Sequence, residues 1–370
     1  MKLTLVAGAR PNFMKIAPLI DAIHNANENG HKLEYRLVHT GQHYDRNMSH
    51  SFFEELNIPE PHVNLESGGG SQAEQTANIM MKFEKDLLEN PSDLVIVVGD
   101  VTSTLACSIV SKKLGVKVAH VEGGIRSGDM SMPEEINRIV TDSISDLFFT
   151  TSETANEHLR KSGKSEDTIH FVGNTMIDTL LKQTNRLKKP PIWDTLNLSD
   201  SKYFILTLHR PSNVDDLNKL KSLIDTIIDH SEGLPILFPV HPRTAKNLEK
   251  INSNFHNLHL LEPLSYLQFN YLVKHALCVI TDSGGITEET TVMNIPCITL
   301  RDSTERPETV TLGTNILIGS NPSNLPKYMQ QVLDSRWKQG QIPPLWDGKA
   351  AERIINIILS KMLYTENPKA

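Results

Sequence analysis

In this 370-residue chain, residues able to do chemistry gather directly behind short apolar runs. Gly8-Ala9-Arg10-Pro11-Asn12, with Lys15 just beyond, follows Leu3–Ala7. Asp282-Ser283-Gly284-Gly285-Ile286-Thr287-Glu288-Glu289 follows Cys278–Thr281, and two further runs end in His209-Arg210 and His241-Pro242-Arg243. Glycines let backbone N–H groups approach a ligand, while helix N-termini and cations both favour a phosphate. Ser283 is placed to donate to such a phosphate, and Glu289, further along the helix, to accept from ribose hydroxyls. Carboxylates form a second set: Gly99-Asp100, His120-Val121-Glu122-Gly123-Gly124, and Pro133-Glu134-Glu135 followed by Asn137-Arg138. Acids gathered at one sheet edge can exchange protons with a substrate when burial and like charges shift them toward neutrality. Each segment alone would also suit a helix cap, a first-turn dipole contact or a simple βα turn. Their joint occurrence favours an anionic ligand.

Other chemistries find less support. His39 and His43 straddle a predicted strand end, so they do not share a helical face. H-E-x-x-H, paired cysteines and Asp-x-Asp are absent, and no metal is predicted. The glycine loops do not match G-x-G-x-x-G, and Gly163-Lys164-Ser165 lacks the earlier glycine of a P-loop. No bound cofactor is expected.

These segments need a scaffold that ends many strands on one edge. Apolar runs at Leu3–Ala7, Tyr35–His39, Leu94–Gly99, Val116–Val121 and Leu147–Thr150 alternate with helical patterns at Phe13–Asn27, Gln72–Leu88, Ser103–Leu114 and Pro133–Ser145. The rhythm restarts with strands at Phe204–Leu208, Ile236–Val240, Leu258–Leu260, Cys278–Thr281 and Cys297–Thr299, and helices at Asp216–Ile228, Tyr266–Lys274 and Ile286–Val292. The pattern predicts an α/β protein of two Rossmann-like domains, with parallel sheets covered by helices on both faces. We place the domains at 1–172 and 173–348, followed by a C-terminal segment, 349–370, whose helix at Ala350–Leu363 packs back on either domain.

A net charge of −7 and a pI near 6.1 disfavour nonspecific binding to nucleic acid. The longest apolar runs are strand-sized, and Met1–Arg10 lacks the pattern of a secretory signal, so a cytoplasmic protein with no membrane partner is expected. Cys107, Cys278 and Cys297 are far apart and read as small buried hydrophobes.

From Gly8-Ala9-Arg10-Pro11 through Thr40-Gly41-Gln42-His43, the carboxylate segments, His209-Arg210, His241-Pro242-Arg243, Asp282–Glu289 and Arg301-Asp302-Ser303-Thr304-Glu305-Arg306-Pro307-Glu308, the ordered set resembles the non-hydrolysing UDP-N-acetylglucosamine 2-epimerases. The resemblance implies a glycosyltransferase-B-type fold binding a UDP-sugar between its domains. It also implies reversible interconversion of UDP-GlcNAc and UDP-ManNAc through UDP elimination, a 2-acetamidoglucal and re-addition. By motif position it implies Asp100, Glu122 and Glu134 as acid/base candidates, with Arg138 positioning the carboxylates. Arg10, Lys15, His209, Ser283, Gly284, Gly285, Glu289 and Arg306 match the UDP-sugar contacts, His209 among the catalytic set, and Phe269 an aromatic near the uracil. Leu264 stands where other members have a glutamine. Gln42 and His43 match a regulatory UDP-GlcNAc site, and a homodimer is a family expectation. The same chemistry on a 2,3-diacetamido uronate, a hydrolysing epimerase, a glycosyltransferase and a nucleotide-sugar sensor are the alternatives.

Overall fold

The computed structural model describes the chain except residues 42–52, 241, 249, 252–255, 320 and 364–370, together with the side chains of Arg10, Pro242, Arg243, Met362 and Leu363. It divides into two compact units, one of Met1–Lys182 with Pro344–Ala370 and one of Gln183–Pro343.

In the first unit seven parallel strands run β1 (Lys2–Ala7), β2 (Glu34–His39), β3 (Val63–Asn64), β4 (Leu94–Val98), β5 (Lys117–Val121), β6 (Leu147–Thr150) and β7 (Ile169–Phe171), in the order β3-β2-β1-β4-β5-β6-β7. Every residue of β4 is buried, as a strand covered on both faces requires. The first helix is α1 (Arg10–Glu28); Val6, Val38, Val95, Val97 and Val118 pack with Ile79, Phe83 and Leu87 of α2 (Gln72–Glu89) and with Ala106, Cys107 and Val110 of α3 (Thr102–Lys113). Helix α1 also packs against β1. Each such Val, Leu, Ile or Phe contributes roughly 1.5–3 kcal/mol on burial, so the sheet is held mainly by its two faces. Strand order reverses between β1 and β4. Ligands in open parallel sheets bind beyond the carboxyl ends at such a point, where Gly8–Arg10 and Gly99-Asp100 emerge.

The second unit repeats the plan with six strands, β8 (Phe204–Thr207), β9 (Ile236–Pro239), β10 (Leu258–Leu261), β11 (Cys278–Thr281), β12 (Cys297–Thr299) and β13 (Asn315–Leu317), ordered β10-β9-β8-β11-β12-β13. One face is covered by Leu220, Leu223, Ile224 and Ile227, and by Leu325, Met329 and Val332. The other is covered by Leu272 and Val273, packed with Ile205, Leu237, Val279 and Cys297. Here the order reverses between β8 and β11, which deliver His209-Arg210 and Asp282–Gly285. All three cysteines are buried and free. Among the described residues no helix is long and apolar enough to cross a membrane.

The first unit extends beyond the expected division at 172/173. The helix Thr175–Gln183 is tied to it, with Thr179 Oγ1 donating to Met14 O at 2.5 Å. Asp178 on that helix accepts from the N–H groups of Ala350 and Ala351, at 3.1 and 2.7 Å, and so caps the C-terminal helix Ala350–Leu363, which packs on α1. Trp346, 1% exposed, donates from Nε1 to Thr151 O at 3.0 Å, so the chain re-enters the first unit before residue 349.

Burial pushes the Asp178 carboxyl up to about 6 despite the two N–H donors. Between about pH 4 and 6 the folded unit therefore holds a proton that the unfolded chain releases. This group's contribution is most favourable at the acid end, declines as pH rises through that window, and is constant above it. Relative to Asp178→Asn, wild-type stability in urea unfolding is expected to fall by ~3 kcal/mol between the two ends; parallel pH profiles would refute this.

Candidate active site

Carboxylates and cations in the first unit converge on the strand ends around β1, β4 and β5. Asn12 closes the first turn: its Oδ1 accepts from Gly8 N at 3.1 Å and Ala9 N at 2.8 Å, while its Nδ2 donates to Val98 O at 3.1 Å. Arg10 opens α1 beside this turn. Lys15, further along α1, donates from Nζ to Glu122 Oε2 at 2.6 Å, with both residues buried. Lys15, read from the sequence as a phosphate contact, is thus the cation that holds Glu122.

The local backbone is arranged for that pair. Glu122 sits at φ +70°, a conformation that is uncommon outside glycine and costs of the order of 1 kcal/mol or more. Its N–H is fixed by Phe149 O at 2.8 Å. Gly99 lies beneath: a Cβ there would fall 3.1 Å from Lys15 Nζ and 3.7 Å from Glu122 Oε2. Gly124, at φ +80°, leaves no room for a side chain, since a Cβ would meet Ala155 O at 2.3 Å.

Asp100 follows β4 and is held by Arg138, whose Nε and Nη2 donate to Oδ2 at 3.0 and 2.5 Å, while Asn137 Nδ2 donates to Asp100 O at 2.8 Å. Arg138 and Asn137 lie on α4 (Pro133–Ile144). Arg138 also donates from Nη1 to Glu135 Oε2 at 2.7 Å. Glu135 in turn accepts from Ser127 N and Oγ, both at 2.9 Å, and from Gly128 N at 3.1 Å. Burial raises the Glu135 carboxyl, but these donors together outweigh it and hold the group below the usual carboxylate range. Glu134 differs: it is half-buried, and its side chain hydrogen bonds none of the described residues. The sequence placed both acids in one motif and the resemblance singled out Glu134; the i, i+3 spacing to Arg138 is the signal that marks Glu135 as the arginine's partner.

His120, fully buried, braces these elements from below. Its Nε2 donates to Gly99 O at 2.8 Å and its Nδ1 faces Asp142 Oδ1 at 2.7 Å. Asp142 also accepts from Gly124 N at 3.0 Å and Arg126 Nη1 at 2.6 Å. Burial works against its charge, and His120 and Arg126 outweigh burial and hold it low.

In the second unit, α5 is the helix Gly284–Met293, and Ser283 at its N-cap makes no side-chain capping bond. Gly284 and Gly285 therefore open a helix N-terminus toward solvent, a geometry that favours an anion. Beside it Arg301 Nη2 donates to Glu305 Oε1 at 2.7 Å, with Arg210 Nη2 at 3.8 Å from the same oxygen. Arg306 pairs through Nε with buried Glu288. His209 is exposed and contacts buried Asp282. Glu289 is buried beside Asn270, whose Nδ2 lies 3.4 Å from Oε1; burial pushes this carboxyl up to about 7, against donors from Tyr266 and Asn270. Phe269, half-buried, packs with Leu264 and Ile286 against the core on that side. Gln42, His43 and His241 lie outside the described residues, as does the side chain of Arg243. Among the described residues no three His, Cys, Asp or Glu side chains group as metal ligands would.

A family model described as UDP-N-acetylglucosamine 2-epimerase matches residues 25–359. A UDP-N-acetylglucosamine 2-epimerase of Methanocaldococcus jannaschii is 41% identical over 372 residues, covering 97% of this chain and 99% of the relative. A UDP-2,3-diacetamido-2,3-dideoxy-D-glucuronate 2-epimerase of Pseudomonas aeruginosa is 38% identical over 324 residues, covering 86% and 89%. The crystal structure of the Methanocaldococcus jannaschii UDP-GlcNAc 2-epimerase in complex with UDP-GlcNAc and UDP matches with a TM-score of 0.86 at 41% identity, over 97% of this chain and 100% of that one. The two Rossmann-like units are of the glycosyltransferase-B type. With a family model spanning most of its length and relatives matched almost end to end, the chain belongs to the UDP-N-acetylglucosamine 2-epimerase family.

Proposed function

We propose that the chain interconverts UDP-N-acetylglucosamine and UDP-N-acetylmannosamine by inverting C2. The observation that carries this reading is the buried Lys15–Glu122 pair, a carboxylate held at a strand end on left-handed backbone, in a chain of this family. No carbonyl on C1 or C3 acidifies the C2 hydrogen, so its removal must be coupled to loss of UDP. The C–H electron pair becomes the C1=C2 bond, the C1–O pair departs with UDP, and the proton passes to a carboxylate. Addition of UDP to the 2-acetamidoglucal, with a proton delivered to the opposite face of C2, completes the inversion.

Taking a proton on one face and returning one on the other requires acid/base groups in more than one position. Asp100 held by Arg138, Glu122 held by Lys15, and Glu134 with no described hydrogen-bond partner support that division. In the second unit the open start of α5, with Ser283, Gly284 and Gly285, and the cations Arg210, Arg301 and Arg306 support binding of the diphosphate, which leaves with added negative charge. Arg10 joins these contacts, His209 meets the sugar, Glu289 takes ribose hydroxyls and Phe269 the uracil. Thus we assign proton transfer chiefly to the first unit and nucleotide binding chiefly to the second. Gln42 and His43 remain proposed regulatory contacts. We further place the enzyme in the cytoplasm, supplying an activated amino sugar for cell-surface polysaccharide synthesis.

Incubation with UDP-GlcNAc in deuterated water is expected to give UDP-ManNAc carrying deuterium at C2, read by NMR. Free ManNAc would instead identify a hydrolysing epimerase. Exchange only with a UDP-2,3-diacetamido uronate, the substrate type in the Pseudomonas aeruginosa relative's name, would move the reading to that sugar. Absence of exchange with either would sink it.

Replacing Glu122→Gln is expected to lower kcat at least ~100-fold while UDP binding, measured by calorimetry, stays within about twofold. Full activity would remove Glu122 from proton transfer.

The homodimer is proposed on a groove of about 540 Å³ in the first unit, lined by Met80, Pro133 and exposed Ile136. Sedimentation is expected to give about twice the 41.4 kDa chain mass, with Ile136→Asp shifting it to monomer. A wild-type monomer at micromolar concentration would exclude this assignment.

A further inference from the structure

Asp282 follows β11 in the second unit. β8 and β11 pair in parallel with Thr207 opposite Thr281, so the residues leaving both strands meet where the sheet order reverses. Asp282, whose side chain is 0% exposed, accepts from His209 N at 3.2 Å to each oxygen, from Arg210 N at 3.0 Å and from Asn213 Nδ2 at 3.1 Å. Its Oδ1 also lies 2.6 Å from Nδ1 of the His209 ring, which is 60% exposed. The same carboxylate thus fixes both the backbone and the ring of one histidine.

An ionised carboxylate only accepts hydrogen bonds, so Nδ1 carries the hydrogen and Nε2, on the far edge of the ring, is the nitrogen turned away from Asp282. Among the described residues Nε2 has no partner. Burial works to raise Asp282, but the bonds from His209, Arg210 and Asn213 outweigh it and keep the group below the ordinary carboxylate range, as an acceptor. A capping role alone would not need the second charged oxygen. An asparagine could serve the backbone N–H groups with its single carbonyl oxygen, but its NH₂ would then face Nδ1 and force the opposite tautomer.

We propose that Asp282 is a positioning residue for the epimerisation, holding His209 as the Nδ1–H tautomer and presenting Nε2 to the UDP-sugar. The proposal rests on the epimerase reading given above. Asp282 does not touch substrate; it acts through His209, which supplies one nitrogen in a fixed direction and in one hydrogen-bonding state.

The test combines Asp282→Asn, His209→Asn and the double variant with ¹⁵N NMR of the wild-type imidazoles. Asp282→Asn is expected to lower kcat on the order of 100-fold with KM changed less than about threefold, and the double variant to be no slower than His209→Asn within about twofold. Losses that multiply in the double variant would show that Asp282 acts independently of His209, and a kcat within about twofold of wild type would show that it is not needed; either overturns the proposal. With the imidazole titrated to its neutral form, the wild-type spectrum is expected to show His209 protonated on Nδ1; a neutral ring protonated on Nε2 overturns the proposal even if Asp282→Asn fails to fold. A wild type that does not exchange the C2 hydrogen of UDP-GlcNAc refutes the epimerase reading and the catalytic role together, while the spectrum separately decides whether Asp282 sets the tautomer.

Discussion

An ionised carboxylate moved out of water loses several kcal/mol of solvation unless an opposite charge and hydrogen bonds replace it. Glu122 meets that constraint through Lys15, and much of the first unit's local structure follows from accommodating the pair. Gly99 leaves room beside the pair, since a Cβ there would crowd the Lys15 ammonium at 3.1 Å. The carboxylate faces that way because Glu122 adopts a left-handed backbone, which is kept in place by its N–H bond to Phe149 and by the close packing of Gly124 on the helix Glu153–Lys161. Below, His120 joins Gly99 to Asp142, so the turns after β4 and β5 and the helix α4 are braced against one another. Loosening any of these contacts would leave a buried charge less well compensated, and the strain at Glu122 persists because the surroundings over-determine it.

The second unit meets the same constraint differently. Asp282 is held mostly by N–H groups rather than by a full cation, and Glu305 is shared by Arg301 and Arg210. Backbone donors cannot rotate away as a lysine can, so Asp282 defines a direction, whereas Arg210, Arg301 and Arg306 bring guanidinium charge to Glu305 and Glu288 on longer, more adaptable side chains. A nucleotide diphosphate needs several donors that adapt to it. A histidine that meets one atom of a sugar needs a single orientation.

Much of this scaffold was legible in the sequence because parallel strands buried on both faces are continuous apolar runs: Leu94–Val98 could hardly be read otherwise. The strands β3, β7 and β13 were not, being two or three residues long and lacking a pattern to detect. Position after a strand drew attention to Asp100 and Glu122 in the first unit and to His209 and Ser283 in the second, since fold topology converts it into a shared edge within each sheet. Partners were harder. Nothing in the sequence links Lys15 to Glu122 or Asp282 to His209, because those bonds depend on which strands are neighbours and on the backbone turn at each end. Glu134 and Glu135 are indistinguishable by type, and only the direction of each side chain from α4 separates a half-buried acid from one locked on Arg138. The unit boundary escaped for a related reason: Asp178 meets the C-terminal helix through tertiary hydrogen bonds that no local composition reveals.

The arrangement also bears on why carboxylates, rather than cations, would carry a reversible proton transfer. In an epimerisation the group that removes a proton in one direction must deliver it in the other, so a useful residue has to be competent in both states. Arginine is excluded because it stays charged, and Lys15 and Arg138 instead serve as fixed counter-charges at Glu122 and Asp100. If the acids stood in identical surroundings, nothing in the protein would distinguish the two faces of C2. Their holders differ: an ammonium in one case, a guanidinium fork in another, and for Glu134 no described hydrogen-bond partner. That difference is supplied by the fold rather than by the residue type, and it gives chemically similar groups the separate positions that an inversion requires.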